Sequence, residues 1–179
     1  MARNDAAAPA VFLDRDGTLM EDVDYCGDAR NVRVFPGAAD ALRRLKDGGF
    51  RIIVITNQSG IGRGYFTEAD YASVHDELVR QLGAGLLDGA YYCPHKPDEN
   101  CSCRKPLPQL VFDATRAHTI DLGRSFFVGD KSSDLDCGRN AGVKTVLVRT
   151  GYGRLVDSAA ADFVADDLGE AADIVLGQR

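Results

Sequence analysis

Ala10-Val11-Phe12-Leu13-Asp14-Arg15-Asp16-Gly17-Thr18 decides the fold and much of the chemistry. Four apolar residues with no polar alternation read as a buried strand, of the kind a parallel sheet covers on both faces. Asp14 and Asp16, at i and i+2, project on the same side of an extended backbone, where the strand gives way to a flexible glycine. Carboxylates that close repel, so the pair calls for a bound cation or a shared proton. A hard divalent ion such as Mg²⁺ takes oxygen ligands and keeps positions open for water and phosphate. One segment therefore offers a metal site beside a candidate nucleophile.

Outward from this segment, short β-rich apolar runs alternate with helical patterns. Strands are expected at 10–14, 51–56, 89–92, 125–129 and 144–148, with a weaker one near 162–165. Helical patterns cover 37–47, 67–83 (with Thr67 as N-cap), 107–118, 133–141 and 168–176. Such alternation predicts an α/β fold: a Rossmann-like three-layer sandwich around a mostly parallel sheet. Asp14, Thr56 and Asp130 each fall at the carboxyl end of an expected strand, the edge of an open α/β sheet where ligands bind. Three hydrogen-bonding or charged groups from separate strands are thus expected to converge. Thr56 is read as a phosphate donor and Asp130 as a metal ligand with Asp14. Asp134, on the next helix, reads equally well as a metal ligand or as a residue favoured by the helix dipole.

Cys93-Pro94-His95 and Cys101-Ser102-Cys103 form a second cluster. Cys93, His95, Cys101 and Cys103 supply three thiolates and an imidazole, which fill tetrahedral Zn²⁺ with no open position and so mark a structural site. Arg104-Lys105-Pro106 follows at once. Zinc would fix the backbone path here, aiming Lys105 at a phosphate and Arg104 at another anionic part of a substrate. Gly60-Ile61-Gly62-Arg63-Gly64 lacks dinucleotide-binding spacing and is expected to be a mobile loop rimming the site.

These motifs carry a resemblance. Asp14-Arg15-Asp16-Gly17-Thr18, Thr56, Lys105 and Asp130 match the four motifs of the haloacid-dehalogenase-superfamily phosphatases. Thr56-Asn57-Gln58-Ser59-Gly60-Ile61-Gly62-Arg63-Gly64, Cys93-Pro94-His95, Cys103-Arg104-Lys105-Pro106 and Val128-Gly129-Asp130-Lys131 look more closely like the zinc-containing D-glycero-D-manno-heptose-1,7-bisphosphate 7-phosphatases. The resemblance implies that Asp14 attacks phosphorus to form an aspartyl phosphate and that Asp16 acts as acid and then base. It implies Mg²⁺ on the Asp14 side chain, the Asp16 carbonyl and Asp130, with Thr56 and Lys105 completing the phosphate cradle. It also implies substrate contacts from Asp22, Tyr25, Asn57, Gln58, Ser59, Arg104 and Lys131. Only 18 residues separate Gly17 from Pro36, too few for a large cap domain.

Two other functions compete. Histidinol-phosphate phosphatases carry a similarly short zinc loop, but the Gly60–Gly64 run and Lys131 look more like the heptose enzymes. A phospho-accepting receiver domain also has strand-end acids and binds Mg²⁺, yet it has no need for Asp16. Composition narrows the class further. The chain has 179 residues, of which 45% are apolar, enough for one domain spanning 1–179. A net charge of −6 without a dominant basic stretch excludes a nucleic-acid binder. No apolar run reaches the roughly 20 residues of a membrane span. Clustered cysteines in a chain without a signal-like start suggest the cytoplasm, and a monomer acting on a small phosphorylated sugar is expected. Residues 1–9 are expected to fray, while Cys26 and Cys137 read as ordinary small residues.

Overall fold

The computed structural model describes residues 6–178. In chain order the elements are β1 (Ala10–Leu13), α1 (Ala38–Asp47), β2 (Arg51–Asn57), α2 (Ser59–Gly62), α3 (Glu68–Leu82), β3 (Gly89–Cys93), α4 (Gln109–His118), β4 (Phe126–Gly129), α5 (Ser132–Ala141), β5 (Lys144–Val148), β6 (Phe163–Ala165) and α6 (Leu168–Gly177). The strands form one sheet in the order β3-β2-β1-β4-β5-β6, and every pairing is parallel. The expected architecture is therefore present. Chain order reverses between β1 and β4, and the ends of those strands carry Asp14 and Asp130. A parallel sheet opens a crevice at such a reversal, because the connections leave toward opposite faces.

Both faces of the sheet are covered. Val11, Leu13, Ile52 and Val54 pack on one side with apolar residues of α1, α3 and α6. Phe12, Ile53, Ile55 and Phe127 pack on the other with Leu110, Val111 and Ala114 of α4 and with Cys137 and Ala141 of α5. Alternate residues of one strand feed opposite cores, which is why β1 reads as an unbroken apolar run. Each fully buried aliphatic or aromatic side chain contributes roughly 1.5–3 kcal/mol relative to exposure. That anchoring sets the strand ends, and with them the acids, in place. Helix α3 starts where Thr67 caps it: the hydroxyl accepts from Asp70 N at 3.2 Å and Asp70 Oδ2 accepts from Thr67 N at 2.7 Å.

Two local expectations change. Ser59–Gly62 is a short helix rather than loop, and only Gly64 of the three glycines has a left-handed φ, +73°. Gly60 and Gly62 are there for space. A Cβ on Gly60 would lie 2.2 Å from the Phe66 ring, and one on Gly62 would lie 2.8 Å from the Pro94 carbonyl oxygen. Of the start expected to fray, residues 1–5 lie outside the described residues. Ala8 is tied down, its N–H donating to Thr119 O at 3.2 Å and its carbonyl accepting from Asp121 N at 2.9 Å. Between Gly17 and Pro36 the described chain forms only a single-turn helix, Ala29–Asn31, against α3, so the site is left without a large cap. Among the described residues no helix is long and apolar enough to cross a membrane.

Candidate active site

The floor of the crevice is a charge cluster. Carboxylate oxygens of Asp14, Asp130 and Asp134 lie within 4.8 Å of one another, all three residues buried. Lys105 reaches in from the segment after the cysteines. Its Nζ lies 2.9 Å from Asp14 Oδ1, 2.7 Å from Asp134 Oδ1 and donates to Ile55 O at 2.8 Å. Lys131 sits higher, 3.7 Å from Asp14 Oδ2 and 3.0 Å from Asp22 Oδ2, and donates to the Asp16 carbonyl at 3.2 Å.

These neighbours divide the acids by charge state. Burial works to raise the pKa of Asp14, but Lys105 and Lys131 outweigh it and hold the carboxyl below its ordinary value. Asp14 is thus kept ionised, the state in which a carboxylate can attack phosphorus. Asp130 is pushed up to about 7, first by burial and then by the Asp14 charge. Among the described residues it accepts from neutral donors, Thr18 Oγ1 at 3.3 Å and Tyr152 N at 2.8 Å. Asp134 is pushed up to about 6 by burial and by Asp14, despite its contact with Lys105. Three buried acids facing two lysines leave negative charge in excess, and oxygen donors at this spacing fit a hard divalent cation such as Mg²⁺. Asp134 sits at the start of α5, where its Oδ2 accepts from Lys131 N at 3.0 Å, and its carboxylate also lies within the acid cluster.

Above this floor lies a cavity of about 340 Å³, lined by Asp14, Asp16, Asp22, Tyr25, Thr56, Asn57, Gln58, Ser59, Arg104, Lys105 and Lys131 among others. The residues singled out in the sequence are thus brought to one place, with Asp130 beneath. Their roles differ in kind. Asn57 joins β2 to the segment carrying Lys105, its Oδ1 accepting from Lys105 N at 3.0 Å and its Nδ2 donating to Lys105 O at 3.2 Å. Gln58 is almost fully buried, and its amide spans Asp16, Arg15 and Thr56 rather than reaching outward. At the rim Tyr25 and Tyr65 meet edge to face at 4.9 Å between ring centres, with the Arg63 guanidinium 5.8 Å from the Tyr25 ring. Tyr25 and Asp24 hold that turn with left-handed φ values of +58° and +48°.

The cysteine cluster immediately precedes Arg104 and Lys105, which line the cavity. Cys93 Sγ lies 3.5 Å from Cys101 Sγ, 3.0 Å from Cys103 Sγ and 3.6 Å from His95 Nδ1, and His95 Nδ1 lies 3.3 Å from Cys103 Sγ. A zinc tetrahedron with bonds of about 2.3 Å to sulfur and about 2.0 Å to nitrogen has edges of roughly 3.5–3.8 Å. The 3.5 and 3.6 Å separations lie near such edges and the 3.0 and 3.3 Å ones are shorter, so the four atoms are gathered closely enough to hold a metal ion. Arg104 is tied to it, donating from Nη1 to His95 O at 3.3 Å.

Comparison with known proteins fixes the family. A family model for HAD-hydrolase-like proteins matches residues 102–171. D-glycero-beta-D-manno-heptose-1,7-bisphosphate 7-phosphatase of Yersinia pestis is 42% identical over 175 residues, covering 92% of this chain and 93% of that one. The chain belongs to this HAD-like phosphatase family. Within the family, the Escherichia coli K12 enzyme of the same name is 40% identical over 184 residues, covering 97% of this chain and 96% of its own. The D,D-heptose 1,7-bisphosphate phosphatase of B. bronchiseptica, solved with magnesium and phosphate, superposes with a TM-score of 0.86 at 34% identity, covering 96% of this chain and 99% of that one.

Several groups that shape the site were not singled out in the sequence. Arg15, between the two acids, is wholly buried and grips Asp16. Alternation gave the signal: a charged side chain at i+1 must point into the opposite face, where burial demands a partner. Thr18 and Tyr152 steady Asp130. Thr150 Oγ1 donates to Gly17 O at 2.7 Å, binding the turn after β1 to the loop after β5. Such long-range contacts leave no local pattern to read.

Proposed function

We propose that this chain hydrolyses the 7-phosphate of D-glycero-D-manno-heptose 1,7-bisphosphate through an aspartyl-phosphate intermediate. The Asp14 carboxylate attacks phosphorus, the bond from phosphorus to the sugar oxygen breaks, and Asp16 gives that oxygen its proton. Asp16 then takes a proton from the water that attacks the aspartyl phosphate, releasing inorganic phosphate and restoring Asp14. Supporting this order is the different setting of the two acids: Asp14 lies on the buried floor against Lys105, whereas Asp16, held by Arg15 and Gln58, faces the cavity with its side chain 15% exposed.

Thr56 and Lys105 line the phosphate end of the cavity. Asp22, Lys131, Arg104, Asn57 and Ser59 line the same cavity, and we assign them to the sugar and its second phosphate. Magnesium would be held by Asp14, Asp130 and the Asp16 carbonyl, and when bound it offsets charge on the phosphoryl oxygens. Zinc would be held by Cys93, His95, Cys101 and Cys103 as a structural ion that fixes the path leading to Lys105.

The observation that carries the reading is the meeting of Asp14, Asp130, Asp134 and Lys105 at the reversal point of a parallel sheet, in a chain 42% identical to a heptose bisphosphate phosphatase. Phosphate release from the heptose bisphosphate and from histidinol phosphate, with Mg²⁺ present, tests it. Preferential cleavage of the heptose bisphosphate at carbon 7 is expected; faster turnover of histidinol phosphate would overturn the substrate assignment.

A further inference from the structure

Asp16 must present a proton to one oxygen, so its orientation matters as much as its charge. Around it the structure shows a closed hydrogen-bonded ring. Arg15 Nε donates to Asp16 Oδ2 at 3.0 Å and Arg15 Nη2 donates to Oδ1 at 3.0 Å, a two-point grip on one carboxylate. Arg15 Nη2 also donates to Gln58 Oε1 at 3.2 Å. Gln58 Nε2 donates back to Asp16 Oδ2 at 2.8 Å and to Thr56 Oγ1 at 2.9 Å.

The amide has only one workable orientation, since a guanidinium only donates and so must face the amide oxygen. Arg15 cannot swing away either. It is wholly buried, and the Tyr71 ring lies 5.3 Å from its Cζ. A guanidinium fork fixes a carboxylate plane as an ammonium cannot.

We propose that Arg15 and Gln58 are positioning residues that hold the Asp16 carboxyl in the one orientation from which it protonates the departing oxygen. This rests on the reading of Asp16 as the acid and base. It adds a role for two side chains that lie beside the reacting atoms and need not touch the sugar. The bonds that form and break are those already given; the ring supplies orientation and no proton.

The dependence on leaving group tests it. A nitrophenolate departs without help, whereas a benzyl alkoxide needs a proton, and neither compound carries a sugar that Gln58 might touch. We would measure kcat/KM for p-nitrophenyl phosphate and benzyl phosphate in wild type, Asp16→Asn, Arg15→Lys and Gln58→Met. General acid catalysis is worth about 10²–10⁴-fold, so a displaced acid should cost about 10–100-fold on benzyl phosphate and about threefold or less on the nitrophenyl ester. Because kcat/KM covers the steps through departure of the alcohol, it reads Asp16 as acid; the later water step is common to both esters and would lower kcat on both alike.

Arg15→Lys keeps the buried charge, so an equal loss there and in Gln58→Met points to geometry rather than to charge. Gln58→Met leaves Arg15 in place should Arg15→Lys fail to fold, which circular dichroism reads directly. Losses of equal size on both esters, or no loss on either, while Asp16→Asn remains selective, would overturn the positioning role alone. An unselective Asp16→Asn would instead overturn the acid reading beneath it.

Discussion

Replacing Lys105 by Met removes the one cation, among the described residues, that touches both Asp14 and Asp134. In the native site its Nζ lies 2.9 Å from one and 2.7 Å from the other, and all of it is buried. At an effective dielectric near 20 each contact is about 6 kcal/mol of gross attraction, most of it offset by the cost of burying the charges. Breaking a buried pair from one side leaves that cost unmatched, and about 3–5 kcal/mol of stability is the expected loss. For a chain of this length that is roughly 10 °C in Tm. The loss should depend on pH in a definite direction. Without Lys105 both carboxyls titrate higher, so they are protonated in the folded state at low pH, and their penalty grows as pH rises through their folded values. Asp134 already stands at about 6 with Lys105 present. Urea unfolding followed by circular dichroism, at about pH 5 and about pH 8, should show a deficit that is clearly larger at the higher pH. A deficit below about 1 kcal/mol at neutral pH, or one equal at both, would refute the reasoning.

Other outcomes follow from the same geometry. Gly17→Ala would place a Cβ 2.2 Å from Asp130 Oδ2 at a φ of +90°, so it should cost about 1–3 kcal/mol and weaken magnesium binding, as melting with and without the ion would show. Asp130, ordinarily near 3.8, holds a proton up to about pH 7 in the ion-free protein, so folding loses stability as pH rises through that window. Magnesium replaces the proton, and the rise in Tm on adding it should be greater at about pH 8 than at about pH 5.5; a constant rise would contradict the pairing of Asp130 with the ion. Cys101→Ser should remove a zinc ion measurable by metal analysis and cost at least about 3 kcal/mol, a fraction of the roughly 10–16 kcal/mol of small zinc peptides. Activity should fall with it, because Lys105 follows two residues after Cys103; retained zinc and activity would count against the closed four-ligand site.

The layout of the sheet was legible because each strand is buried on both faces and shows as an apolar run: residues 144–148 coincide with β5, and 51–56 misses β2 by one residue. Strand ends were legible for the same reason, since Asp14 and Asp130 break those runs. The Cys/His cluster was legible because its ligands lie within 11 residues of one another, 93–103. Helix α2 was not, as Ser59-Gly60-Ile61-Gly62 has poor helix propensity and is held by packing of Gly60 on Phe66 and of Gly62 on Pro94. Arg15 was missed because its partner Gln58 lies 43 residues away. Nor does sequence say which acid is ionised: the fold sets both Lys105 and Lys131 against Asp14, while Asp130 has Lys131 opposed by burial and by the Asp14 charge.

Rapid chemical quench of a single turnover, with substrate labelled in the phosphoryl group, tests most directly whether Asp14 carries the reaction. The account predicts a transient, hydroxylamine-labile label on the peptide that contains Asp14, lasting longer in Asp16→Asn. Labelled phosphate appearing in the first turnover, with no label passing through the protein at any time, would contradict it.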